Sequence, residues 1–82
     1  MALYVLSYDL RNKRDYQKLY DALGKFKALK MLESLWCFNS DSTAKDLRDY
    51  FKSFIDNDDG LAVFKVDDWA TVRCKTSPND LK

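Results

Sequence analysis

Histidine is missing from these 82 residues, and glycine, proline and cysteine are scarce at two, one and two. Without an imidazole base, the paired serine or cysteine nucleophiles of many hydrolases are excluded. Zinc loses one of its usual ligands as well. Cys37 and Cys74 lie far apart with no paired spacing, so neither a zinc cluster nor a redox pair is indicated. Both read as small buried hydrophobes. Gly24 and Gly60 do not make a phosphate-cradling loop. Long apolar runs are lacking too, since the uncharged stretch 2–8 is far short of the roughly 20 residues that span a membrane. That stretch has neither a basic leader nor a small-residue cleavage site, so a cytoplasmic chain with no membrane partner is expected. The means left for catalysis are carboxylates, hydroxyls, amines and a divalent metal.

What is present is globular: 46% hydrophobic, 33% charged and an unusual 15% aromatic. The length fits one small core. Net charge is only +1, but it is unevenly spread. Between Leu10 and Lys30 seven basic residues face two acids, whereas between Asp56 and Asp68 five acids face Lys65 alone. The basic stretch is either a patch near Asp9 or the solvated face of an ordinary helix.

Residues 2–9 are apolar on both alternating faces, Leu3, Val5 and Ser7 against Tyr4, Leu6 and Tyr8, as in a strand covered on both sides. Tyr16, Leu19, Tyr20, Leu23 and Phe26 fall at helical spacing, with Asn12 or Asp15 available as caps and Gly24 weakening the last turn. The run LKMLESLWCFN divides into short strands at 29–32 and 35–39. Thr43 with Asp46 resembles a capping box, opening a second helix whose stripe is Leu47, Tyr50, Phe51, Phe54 and Ile55. DNDDG then forms a helix end and turn, with Gly60 suited to positive φ. Residues 61–67 form the last clear strand, apolar on both faces. Trp69 to Cys74 suggest a short fifth strand, and SPNDLK a loose tail.

The order strand, helix, strand, strand, helix, strand predicts an α+β, ferredoxin-like split βαβ (βαββαβ) antiparallel sheet with two helices on one face. The core domain is 1–67, followed by a short strand and tail over 68–82. Two helices cover one face only, yet the first and last strands are apolar on both. A homodimer is expected to cover the remainder, with Trp69 to Cys74 extending the partner's sheet.

With YDL closing the first strand, RDYQKLYDAL opening the first helix and ESLWCF leading into the third strand, the chain resembles the small CRISPR-associated adaptation nucleases. It is more similar still to their stand-alone SinR-like and virulence-associated protein D relatives. The likeness runs from about Leu3 to Asp67 and rests mainly on the order and spacing of short signals. It implies a ferredoxin-like homodimer in which the first-strand aspartate of each subunit, here Asp9, faces its counterpart. Those aspartates would hold a magnesium or manganese ion for phosphodiester cleavage. The third-strand serine falls on Ser34, and the following basic residues on Arg11 and Arg14. The CRISPR members often carry glutamine two before that serine, where this chain has Leu32, and their partner-docking tail is not recognisable in SPNDLK. The resemblance therefore implies the dimer and not membership of an integration complex.

Each candidate has a plainer reading. Asp9 is a metal ligand or a turn-forming acid; Ser34 orients a phosphate oxygen or merely breaks two strands. Arg11 and Arg14 grip phosphates through a bidentate fork or are solvated loop charges. Tyr8 stacks on a base or packs in the sheet. Three functions follow: a metal-dependent endonuclease, with RNA favoured over DNA; a non-catalytic dimeric scaffold binding nucleic acid or a protein partner; or an antitoxin-like interaction module whose ligand is a protein. The endonuclease is preferred narrowly.

Overall fold

β1 (Ala2–Asp9) lies inside the sheet, flanked antiparallel by β3 (Leu35–Ser40) on one side and β4 (Gly60–Val66) on the other. β2 (Leu29–Leu32) completes the order β2-β3-β1-β4. This is a computed structural model describing residues 1–11 and 16–81. Two helices, α1 (Gln17–Lys25) and α2 (Ala44–Lys52), complete a ferredoxin-like α+β fold.

The core follows from strand alternation. Tyr4 and Leu6 of β1 and Phe38 of β3 are buried against Leu19 and Leu23 of α1 and Leu47 and Phe51 of α2. Burying such side chains stabilises the fold by roughly 1.5–3 kcal/mol each. Leu61 and Val63 extend this layer on β4. The alternate row points the other way: Leu3 pairs with Val66, Val5 with Phe64 and Ser7 with Ala62. Among the described residues no helix covers that row, and Phe64 is 55% exposed.

Helix ends behave as their residues dictate. Thr43 is extended and its hydroxyl accepts the Asp46 amide at 3.1 Å, capping α2. The candidate caps Asn12 and Asp15 of α1 lie outside the described residues. At the other end of α1 the Lys27 amide donates to the Gly24 carbonyl at 2.9 Å and the Ala28 amide to that of Leu23 at 3.1 Å. This is a Schellman close, and it places Lys27 at φ 55, where glycine is the usual occupant.

Two expectations are corrected. Among the described residues the sheet of the single chain has four strands, and 69–74 pairs with none of them. The tail SPNDLK is ordered rather than loose, and the residues leading into it are tied down: the Lys75 amide donates to the Met31 carbonyl at 2.9 Å and the Thr76 hydroxyl to that of Lys30 at 3.0 Å. The Ser77–Asp80 capping box then folds a short 3-10 turn, Pro78–Asp80. Finally, Gly60 opens β4 without positive φ. Its lack of a side chain serves a close approach instead, described next.

Candidate functional site

Asp9 ends β1 in register with Gly60 and continues the row of Leu3, Val5 and Ser7. Its side chain is 71% exposed. The Arg11 Nε donates to Asp9 Oδ2 at 3.1 Å. Arg11 is itself anchored: Nη1 donates to the Asp58 carbonyl at 2.8 Å, and its amide to Asp59 Oδ1 at 2.8 Å. Asp59 Oδ2 accepts the Tyr16 hydroxyl at 2.8 Å and the Asp56 amide at 2.9 Å. The DNDDG turn thus ties the ends of β1 and α2 to the start of α1. A Cβ on Gly60 would stand 3.3 Å from Arg11 Nη2 and 3.7 Å from the Asp9 Cβ, so glycine leaves room for the guanidinium.

Ser34 sits in the two-residue turn between β2 and β3. Leu35 pairs with Ser7, and the Tyr8 amide donates to the Ser34 carbonyl at 3.2 Å. The serine therefore stands across from Tyr8, one step along β1 from Asp9. Tyr8 points to the helix side. Its hydroxyl accepts from Trp36 Nε1 at 3.1 Å and donates to the Glu33 carbonyl at 3.3 Å, while its ring meets Tyr20. Burial raises the Tyr20 pKa, and the neighbouring Tyr8 adds to the effect. Tyr8 thus packs between Trp36 and Tyr20.

Glu33 accepts from Lys75 Nζ at 3.3 Å and pairs with Lys30 at 3.7 Å. The hydrogen bond from Lys75, then the charge of Lys30, hold its pKa below the ordinary carboxylate value. On the opposite row Cys37 is fully buried, and burial pushes its thiol pKa up, with Asp80 of the docked tail adding a little. It is a packing cysteine, as its sequence context suggests.

The structure thus gathers Asp9, Arg11, Ser34 and Tyr8 at one end of the sheet. Arg14 lies outside the described residues. Sequence reasoning missed the Asp59 anchor and the role of Gly60; the adjacency of DDG to a strand was the available signal. Among the described residues no three Asp, Glu, Cys or His side chains converge as a metal site. Asp9 is the carboxylate exposed at this end of β1. Magnesium and manganese accept oxygen ligands and retain several waters, so two such carboxylates from two chains fit their chemistry. Among the described residues no helix is long and apolar enough to cross a membrane.

Residues 1–74 match the model of the family described as CRISPR associated protein Cas2. In shape the chain is similar to a crystal structure of a hypothetical protein from Thermus thermophilus, with a TM-score of 0.66 and 23% identity, covering 87% of this chain and 88% of the other. That likeness supports the fold.

Proposed function

The chain belongs to the CRISPR associated protein Cas2 family, and from that premise we propose that it is a metal-dependent endonuclease, acting preferentially on RNA, that works as a homodimer. The observation that carries this reading is the position of Asp9. It is the exposed last member of the uncovered row Leu3, Val5, Ser7, Asp9. A second copy packed on this face across a two-fold axis would bury the apolar part of the row and bring the two Asp9 side chains toward each other.

A bound magnesium or manganese ion would neutralise charge on the scissile phosphate and activate water. Asp9 of each chain would supply a carboxylate oxygen to hold it. Ser34, set beside Tyr8 by the backbone bond, orients a phosphate oxygen. Arg11 would meet a flanking phosphate only once released from Asp9, and Arg14 would meet another, while Tyr8 braces the strand end from the helix side. With no histidine in the chain, protons leave to solvent, and turnover is slow.

A second reading is favoured by one specific contact. The Asp9–Arg11 pair, anchored on Asp58 and Asp59, is also what a purely structural brace looks like. In that reading the dimer is a non-catalytic scaffold for nucleic acid or a protein. Labelled single-stranded RNA and double-stranded DNA, incubated with magnesium, manganese or a chelator, separate the two. Metal-dependent RNA cutting that is lost in Asp9→Ala, with the dimer intact by light scattering, supports the nuclease. Salt-sensitive binding without product, equal in wild type and Asp9→Ala, would establish the scaffold.

A further inference from the structure

We infer that Arg11 is a built-in counter-cation for Asp9, a tethered guanidinium that holds the carboxylate until a divalent cation displaces it. This rests on the metal-dependent reading of Asp9. Arg11 then acts as a positioning residue that sets metal affinity rather than as a free phosphate clamp.

Three features build the device. The Arg11 amide and Nη1 donate at 2.8 Å to Asp59 Oδ1 and the Asp58 carbonyl, so its backbone and its guanidinium are both tied to the DNDDG turn. Asp59 is itself held by the Tyr16 hydroxyl and the Asp56 amide. Gly60, across the ladder from Asp9, leaves the space that the guanidinium fills; a Cβ would meet Nη2 at 3.3 Å. Nε then reaches Asp9 Oδ2 at 3.1 Å, leaving Oδ1 outside the pair.

The pair's strength suits a displaceable contact. Both side chains are more than half exposed, at 57% and 71%. Such pairs are weak, so a doubly charged ion can outcompete a guanidinium for the carboxylate. Once displaced, Arg11 remains beside the ion and repels it, which lowers metal affinity in the resting protein. An arriving phosphate is the natural counter-ion for that freed guanidinium. Metal is therefore held weakly until substrate is present.

The test is manganese binding without nucleic acid, read from the electron paramagnetic resonance signal of free Mn²⁺. The proteins are wild type, Arg11→Gln, Gly60→Ala and Asp9→Asn, each checked for folding by circular dichroism. Removing the guanidinium is expected to tighten Mn²⁺ binding about tenfold, the order expected from removing one adjacent like charge. Gly60→Ala keeps the charge but crowds it, and should shift affinity the same way by a smaller factor. Asp9→Asn should abolish binding. Folded Arg11→Gln binding no more tightly than wild type overturns the inference while leaving the Asp9 metal site standing. If Arg11→Gln does not fold, an unchanged Gly60→Ala affinity overturns it. Absence of binding in every protein overturns both the inference and the metal reading beneath it.

Discussion

The two faces of the sheet are built from the same strands and nearly the same residue types, yet they differ in what covers them. On one face Tyr4, Leu6 and Phe38 are 3%, 0% and 0% exposed beneath two helices. On the other, Val5 pairs with Phe64, which is 55% exposed. Cys37, across from Val5, is fully buried on this second face. The helical face accounts for the stability of one chain. The other is apolar beyond what that chain uses, and its row ends in Asp9. The cover that the second face needs and the chemistry proposed for Asp9 are therefore one question.

Mutations can sharpen this contrast. The largest effect is expected at Phe38→Ala, which empties a fully buried site in the helical face and should cost about 3–5 kcal/mol, read from urea unfolding. Phe64→Ala should cost the single chain under about 1 kcal/mol at high dilution. Phe64→Asp should convert dimers to folded monomers by light scattering. If both Phe64 variants unfold the chain as Phe38→Ala does, the distinction between the faces fails.

Smaller effects test the local accounts. Thr43→Ala removes the α2 cap and should cost about 1 kcal/mol. Lys27→Gly relieves the left-handed residue at φ 55 and should stabilise by about 1 kcal/mol in the same assay. The smallest concerns Glu33. Its folded pKa is lowered, so its contribution is present above the ordinary carboxylate value and is lost as pH falls through the lower folded value. Tail docking, followed by amide exchange at Lys75, should weaken over that acidic window and not at neutral pH. Lys75→Gln should remove most of that dependence.

The periodicities explain why so much of the fold was legible. The helical stripes each point to one face, and the structure buries Leu19, Leu23, Leu47 and Phe51 there while leaving Tyr20 and Tyr50 exposed; residues 2–9 are apolar on both faces, and the helices bury Tyr4 and Leu6 of one. The β2 and β3 starts were readable because Glu33 and Ser34 interrupt two apolar runs. The errors lie where long-range contacts decide. Nothing local in the sequence signals that Lys75 and Thr76, just before SPNDLK, bond to β2. The turn formers beside Gly60 suggest a turn glycine; the reason for glycine is an arginine arriving from residue 11. The site was legible as a set of residues near one sheet end, but not as a network. The Arg11–Asp59 link spans 48 positions, and no short motif announces it.

The most direct test of the paired-carboxylate account is the stoichiometry of manganese on the purified dimer at saturation. The account predicts one ion per two chains, lost in Asp9→Asn without loss of the dimer. One ion per chain, or binding that survives Asp9→Asn, would contradict it and leave Asp9 as the partner of Arg11 alone.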